Sequence, residues 1–242
     1  MKTEMPEWFF FDCFGTLIID DGLDEETPYC ALMAYVPVQL GLYASEADFV
    51  REYENWRKER DDTAPGKEIT LPERLRQIFS KANVQENVDL EEAISRTVQV
   101  FYENAMAQLI PAPGVHEMLQ FWHGKVRMAV VSNILIARIP QRVLSEHGLC
   151  TYFDFILDSA SLGVRKPGEK IYRLAVNQAG VAAEHMQSIL FIGDNPQLDV
   201  AIPRRLGMRA LLYSPGNTTA PDAGQEFTIR HWDEFRTIKD DN

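Results

Sequence analysis

Four separated segments of the chain carry side chains suited to nucleophilic and phosphate chemistry. Each candidate stands at the end of an apolar run or just before a helical pattern, where a folded sheet would present it to a ligand. Carboxylates can act as nucleophiles and as oxygen ligands for Mg²⁺, while lysine and hydroxyl groups stabilise transferring anions. The candidates are Asp12, Phe14, Thr16, Ser132, Asn133, Lys166, Asp194, Asn195 and Asp199.

The apolar runs that precede these residues predict strands buried on both faces, because they do not alternate with polar residues. Helical patterns that end at glycine lie between the later runs, which indicates βα units and a parallel sheet. The predicted fold class is therefore α/β, with a Rossmann-like parallel sheet. The runs are Trp8–Phe11, Val126–Val131, Phe153–Leu157, Ser188–Ile192 and Arg209–Tyr213, with a shorter sixth at Phe227–Ile229.

Residues 20–108 carry a different pattern, with helical periodicity and no strand run. Two acidic first turns, after Ser45 and Asp89, are typical of capped helix starts. We therefore predict a helical cap domain at residues 20–108, inserted into a core formed by residues 1–19 and 109–242. The four predicted helices are Thr27–Leu42, Ser45–Asp61, Leu71–Lys81 and Asp89–Leu109.

Composition narrows the possible partners. The 242 residues include 24 Lys+Arg against 36 Asp+Glu, which gives a formal net charge of -12. Such a charge argues against binding to nucleic acid or to an anionic membrane surface. Three scattered cysteines and the lack of a secretory signal pattern predict a reducing, cytoplasmic location, and the short apolar runs predict no membrane span. These features predict a soluble, intracellular protein without a nucleic-acid or membrane partner.

The chain resembles the haloacid dehalogenase-like hydrolase superfamily, in the branch with a helical cap inserted after the first motif. The resemblance rests on four segments in the same order and spacing as in that family. They are FFFDCFGTLI (9–18), VVSNI (130–134), VRKPGEKIY (164–172) and FIGDNPQLDVAIPRRLGM (191–208).

The resemblance implies a catalytic centre. Asp12 would be the nucleophile, attacking the substrate to form a covalent intermediate. Asp12 and Asp194 would bind Mg²⁺ together with the backbone carbonyl of Phe14. Ser132 and Lys166 would hold the transferring phosphoryl group.

The resemblance also implies supporting residues. Thr16 and Asn133 are expected to bind the substrate and orient the site by hydrogen bonds. Asp199 is expected to orient Lys166 or a metal-bound water. Asn195, like Asp199, is expected to support the site without contacting the reacting atoms.

One position departs from the family's phosphatases. They carry a second Asp two residues after the nucleophile, which protonates the leaving alcohol, and Phe14 cannot donate a proton. General acid catalysis contributes about 10²–10⁴-fold, so alkyl phosphates should be affected most. An aromatic residue here resembles the family's metal-independent haloacid dehalogenases, whereas Asp194 is out of place in them because it would repel a carboxylate substrate.

We predict a Mg²⁺-dependent phosphatase of a small phosphorylated metabolite that forms an aspartyl-phosphate on Asp12. The first alternative is a metal-independent 2-haloacid dehalogenase acting on a halogenated acid. A carbon–phosphorus hydrolase is another, since such members also lack the second Asp. The last is a non-catalytic protein that binds a phosphorylated ligand or a partner protein.

Overall fold

The computed structural model describes residues 5–20, 28–82, 89–216 and 228–236. The strands are β1 (Trp8–Phe11), β2 (Ile18–Asp20), β3 (Leu109–Pro111), β4 (Arg127–Ser132), β5 (Phe155–Asp158), β6 (Ile189–Gly193), β7 (Arg209–Tyr213) and β8 (Thr228–Ile229). The α-helices are α1 (Tyr35–Gln39), α2 (Glu46–Thr63), α3 (Leu71–Phe79), α4 (Leu90–Met106), α5 (Val115–Trp122), α6 (Ile139–Glu146), α7 (Ser159–Leu162), α8 (Glu169–Ala179), α9 (Ile202–Arg205) and α10 (Trp232–Arg236). Shorter 3-10 helices occupy Tyr29–Met33, Cys150–Tyr152 and Ala183–Ser188, and a π-helix occupies Pro196–Ala201.

Six strands form one parallel sheet in the order β5-β4-β1-β6-β7-β8. Strand β1 lies between β4 and β6. Its side chains point alternately to the two faces of the sheet, and both faces are covered by buried residues. Phe9 and Phe11 pack in the cluster on one face, and Trp8 and Phe10 pack in the cluster on the other. The prediction of an α/β, Rossmann-like parallel sheet is confirmed.

Helices α1 to α4 follow β1 and β2 along the chain and precede β3. The apolar faces of α2, α3 and α4 share one buried cluster that includes Phe49, Leu75, Ile78 and Phe101. The division into core and cap at 19/20 and 108/109 stays a prediction, and parts of it (residues 21–27 and 83–88) lie outside the described residues. Among the described helices, none has both the length and the apolar character needed to cross a bilayer.

A two-stranded antiparallel ribbon is the feature that the sequence pattern did not indicate. Strand β2 pairs with β3, with Ile19 opposite Ile110. Three-residue strands are too short to show a period, so their pairing leaves no signal in the sequence. The ribbon lies at both predicted domain boundaries, where the chain leaves the sheet and where it returns.

The helical segment after β6 starts early, at Pro196, and is not a single α-helix. A π-helix, Pro196–Ala201, comes first, and α9 continues from it. The Asn195 side chain accepts hydrogen bonds from the backbone N–H groups of Gln197 and Leu198, so it caps this turn at its start. This early start turns Asp199 inward, where it is buried.

Candidate active site

The carboxyl ends of β4, β1 and β6 bring the predicted residues together, because these strands are neighbours in the sheet. Asp12 directly follows β1, Ser132 is the last residue of β4, and Asp194 directly follows β6. The Asp12 N–H donates to the carbonyl of Ile192 at 2.8 Å, which extends the β1–β6 pairing to the site. Three separated sequence segments thus meet at one edge.

Lys166 lies between two carboxylates at the centre of this edge. Its Nζ donates to Asp12 Oδ1 at 2.8 Å and to Asp199 Oδ1 at 2.7 Å. The ammonium group is buried, and burial alone would lower the pKa of Lys166. The Asp12 and Asp199 carboxylates outweigh burial and raise it, so the lysine stays charged.

Asn133 fixes the backbone of the lysine. Its Oδ1 accepts from the Lys166 N–H at 2.9 Å, and its Nδ2 donates to the Lys166 carbonyl at 2.8 Å. Both polar atoms of the amide are therefore used on one residue. Asn133, predicted to bind the substrate and orient the site, orients Lys166 in the structure.

Thr16 holds Asp194 in the same way. Its buried hydroxyl donates to Asp194 Oδ1 at 3.0 Å. Gly15, at a φ of 83°, leaves room for this carboxylate, since a Cβ there would lie 2.6 Å from Asp194 Oδ2. Asp194 as a whole residue is exposed, but its carboxylate is partly buried where it meets Thr16. Thr16, like Asn133, contacts a catalytic candidate directly.

Asp199 is fixed from three directions. Besides Lys166, the backbone N–H of Asn195 donates to its Oδ2 at 3.0 Å. A Cβ on Gly193 would lie 2.4 Å from Asp199 Cγ, so only glycine fits at the end of β6. The predicted contact between Asp199 and Lys166 is present, and Asn195 acts on Asp199 through its backbone.

The site concentrates negative charge. Oxygen atoms of Asp12, Asp194 and Asp199 lie within 4.8 Å of one another. Burial raises the pKa of Asp12 to about 7, Lys166 opposes this rise, and Asp199 and Asp194 add to it. Burial, and then Asp199, also raise the pKa of Asp194, although the Thr16 hydroxyl lowers it.

The donor set fits a hard divalent cation. Asp12 and Asp194 present carboxylate oxygens, the ligands that Mg²⁺ prefers, and Lys166 offsets only part of the charge of the three carboxylates. Asp199 already binds Lys166 and the Asn195 N–H, so Asp12 and Asp194 are the residues left to hold an ion.

Ser132 contributes a buried hydroxyl at the end of β4. Its Oγ has no hydrogen-bond partner among the described residues. A buried polar atom without a partner costs about 1–3 kcal/mol, so such atoms are usually satisfied by a ligand or by water. Ser132 is thus available to a bound group, and its predicted contact with a phosphoryl group stays a prediction.

Phe14, two residues after the candidate nucleophile Asp12, lines a cavity. The cavity has a volume of about 250 Å³, and its walls include Gly15, Asn133, Phe101 and Leu135. The side chain is apolar, so it presents no proton to a ligand there. The structure places Phe14 in the wall of this cavity, and its predicted role, a backbone carbonyl bound to the metal, stays a prediction.

Several residues at this cavity were not predicted as site residues. Tyr29, Glu68 and Arg165 also line it. Tyr29 and Glu68 come from the helical segment, whose patterns do not indicate which residues face the core. Arg165 stands within the quoted segment VRKPGEKIY, so its place next to Lys166 was the available signal.

The family model for the haloacid dehalogenase-like hydrolases matches residues 6–207. The chain belongs to this family. The match covers β1 to α9, and so includes every candidate residue described above. The resemblance inferred from the four motifs is confirmed.

Individual relatives differ in chemistry. Pyrimidine 5'-nucleotidase YjjG of Escherichia coli (strain K12) is 34% identical over 98 residues, 40% of this chain and 42% of that protein. The chain thus matches less than half the length of that relative. A 2-haloacid dehalogenase of Pseudomonas syringae pv. Tomato DC3000 superposes with a TM-score of 0.63 at 23% identity, covering 96% of each chain.

A phosphatase gives nearly the same structural match. The structure of an HAD phosphatase from Thermococcus onnurineus has a TM-score of 0.62 at 18% identity and covers 96% of this chain and 97% of that one. The two scores are almost equal, so the shared fold does not separate the two chemistries. That choice depends on the site residues.

Proposed function

We propose that this protein is a Mg²⁺-dependent phosphatase that acts on a small phosphorylated metabolite through an aspartyl-phosphate on Asp12. The observation that carries the proposal is Asp194, whose carboxylate stands near Asp12 and is held there by Thr16. In a metal-independent 2-haloacid dehalogenase, the Asp194 carboxylate would only repel the carboxylate of the substrate. A cation-dependent phosphatase needs it.

Asp12 and Asp194, with the backbone carbonyl of Phe14, are proposed to hold the metal. When bound, the ion supplies positive charge that stabilises the developing charge on the phosphoryl oxygens. The cluster of acidic oxygens supports this assignment.

In the proposed reaction, an Asp12 carboxylate oxygen attacks phosphorus. A new P–O bond forms to the aspartate while the bond from phosphorus to the leaving oxygen breaks, and the leaving group departs with the electron pair. Water then hydrolyses the acyl phosphate, which releases inorganic phosphate and restores the carboxylate.

Lys166 and Ser132 are proposed to bind the phosphoryl oxygens. The Lys166 ammonium already donates to Asp12, so it can stabilise charge on both the nucleophile and the group it attacks. The unpartnered Ser132 hydroxyl supports a hydrogen bond to the same group. Asn133 and Thr16 are proposed as positioning residues, because their polar groups bond to Lys166 and Asp194.

Phe14 restricts the substrates. Without a general acid at this position, a leaving oxygen must depart unprotonated, which favours aryl and acyl phosphates over alkyl phosphates. Phe14 is also the observation that favours the second candidate, a metal-independent 2-haloacid dehalogenase, since a halide leaves without a proton.

A small-molecule substrate is proposed in the cytoplasm, with no nucleic-acid or membrane partner. Cys13, Cys30 and Cys150 are free thiols, which is typical of a reducing compartment. The net charge of -12 opposes binding to the phosphate backbones of nucleic acid.

A paired assay tests the function. Phosphate release from phenyl phosphate and acetyl phosphate, and halide release from 2-chloropropionate, are each measured with Mg²⁺ and with EDTA. We expect phosphate release that EDTA abolishes and Mg²⁺ restores. The Asp12→Asn variant should lose at least about 10³-fold in kcat/KM, because the amide is a poor nucleophile.

The matched control is Asp233→Asn, an exposed carboxylate on α10 that pairs with Arg236. It should retain the full rate. Halide release that survives EDTA would establish the dehalogenase instead. Neither activity, together with no binding of orthovanadate and Mg²⁺, would favour a non-catalytic protein that binds a partner.

A further inference from the structure

The active-site cavity continues into a second one. The second cavity has a volume of about 400 Å³, and its walls include Tyr29, Phe101, Leu135 and Arg165, which also line the first. The walls of the first cavity also include Phe14, two residues after Asp12, and Asn133, whose amide holds the Lys166 backbone. A substrate whose phosphoryl group lies at Asp12 would therefore extend toward Arg165.

Arg165 is a cation in this space whose side chain makes no hydrogen bond to any described residue. Its side chain is 21% exposed, and its Nε is buried with no hydrogen-bond partner among the described residues. Two carboxylates are near, but each is beyond hydrogen-bond distance. Asp61 Oδ1 lies 3.6 Å from Nη1, and Glu68 Oε2 lies 3.6 Å from Nε.

The two carboxylates have closer partners elsewhere. Glu68 accepts from Arg74 Nη2 at 2.8 Å and from Ser159 Oγ at 2.7 Å. Asp61 accepts from its neighbour Arg60. Their charges are therefore matched mainly by other groups, and Arg165 keeps its hydrogen-bonding capacity.

We propose that Arg165 binds a carboxylate on the leaving group of the substrate and so selects phosphate esters that carry a second anionic group. This inference rests on the proposed phosphatase function and adds the substrate class. Arg165, which lines both cavities, acts as a specificity residue.

The chemistry of the two groups is complementary. A guanidinium presents paired N–H donors whose spacing matches a carboxylate, and such charged hydrogen bonds are stronger in a partly buried site. Burial lowers the pKa of Arg165; the Glu68 and Asp61 carboxylates oppose this, and Arg74 and Arg60 add to it. The apolar walls formed by Phe14, Phe101 and Leu135 suit a hydrocarbon ring between the two charged ends.

Two phosphate esters test the proposal. The first is 4-carboxyphenyl phosphate, and the second is 4-carbamoylphenyl phosphate, which has nearly the same shape without the charge. With wild-type protein and Mg²⁺, we expect kcat/KM to favour the carboxylate ester by about 10- to 100-fold, the range of a charged hydrogen bond. The effect should lie mainly in KM.

Arg165→Met should bring this preference to about one, because only the carboxylate ester loses a contact. Arg165→Lys keeps the charge and should retain part of the preference. The control is Arg57→Met. Arg57 lines the second cavity, but its Nε already donates to Glu54 at 2.9 Å, so the preference should not change.

The outcomes separate the two proposals. Phosphate release at equal kcat/KM from both esters, by the wild type as well as by Arg165→Met, would overturn the role of Arg165 and leave the phosphatase standing. Release from neither ester would overturn the proposed function, and this inference with it. A preference that persists in Arg165→Met would assign the carboxylate contact to another residue.

Discussion

Two buried cations, one at the sheet and one in the helical segment, have opposite surroundings. Lys166 contacts Asp12 and Asp199, and a third carboxylate, Asp194, stands close by. Arg74 contacts a single carboxylate, Glu68, at 2.8 Å. The exposed fractions of the two cation side chains are nearly equal, at 2% and 3%.

The Arg74 network is closed. Its guanidinium also donates to the Ile69 carbonyl and the Tyr53 hydroxyl, and both oxygens of Glu68 accept hydrogen bonds. Balanced charge and satisfied donors are typical of an ion pair that holds a fold together. At Lys166 negative charge is in excess and Ser132 Oγ is unpartnered, which is typical of a site built for a ligand.

The largest effect is expected when Lys166 is removed. Lys166→Met leaves Asp12 and Asp199 buried without their cation, so we expect kcat/KM to fall by about 10³-fold. The free energy of unfolding should fall by about 3–5 kcal/mol, because breaking a buried pair leaves uncompensated charge. Phosphate release and urea unfolding measure the two effects.

Lys170→Met is the control for this variant, since Lys170 is exposed in the first turn of α8. It should change neither quantity. If the Lys166→Met protein unfolds more easily but hydrolyses phosphate esters at the wild-type rate, then Lys166, like Arg74, only stabilises the fold. The difference between the two buried cations would then be wrong.

Arg74→Met should affect stability alone. We expect the free energy of unfolding to fall by about 3 kcal/mol, because Glu68 stays buried without its closest cation. The kcat of the folded protein should stay within about threefold, since no reacting group contacts Arg74. Urea unfolding followed by circular dichroism measures the change.

The matched control lies on the same helix. Arg76 pairs with Glu91 at 2.8 Å on the exposed surface, where solvent screens the pair, so Arg76→Met should lower the free energy of unfolding far less than Arg74→Met. If both arginine variants cost the same, the buried network does not hold the helical segment as described.

The smallest effect is expected at Phe14, and it tests the chemistry of the core site. Phe14→Asp adds a proton donor beside the leaving oxygen, so turnover of an alkyl phosphate should rise by about 10²-fold or less. Turnover of an aryl phosphate should change little. Phe14→Leu separates the loss of the ring from the gain of the carboxyl group. An unchanged rate on alkyl phosphates would show that the proton comes from elsewhere.

The same contrast explains what the sequence could predict. Asp12, Ser132 and Asp194 stand at the ends of apolar strands, and the order of parallel strands places such ends along one edge. Local patterns in the sequence therefore indicated both the sheet and these three candidate residues. The segment VRKPGEKIY, through its resemblance to a family motif, indicated Lys166.

The cavity could not be predicted in this way. Glu68 reaches Ser159, and Leu71 donates its N–H to the carbonyl of Leu135, across separations that leave no pattern in the chain. The direction of Arg165 away from its neighbour Lys166 likewise depends on the fold. Helical periodicity indicated the helices but not the residues that face the sheet.

The β2–β3 ribbon has a consequence for how such a protein can change. Because Asp20 pairs with Leu109, the two junctions of the long helical insertion stand side by side. The insertion therefore connects two adjacent positions of the core, as a short hairpin loop would. Helices can therefore be lengthened, shortened or exchanged there without altering a strand pairing of the large sheet, so a new preference for substrates can arise while the reacting groups stay where they are.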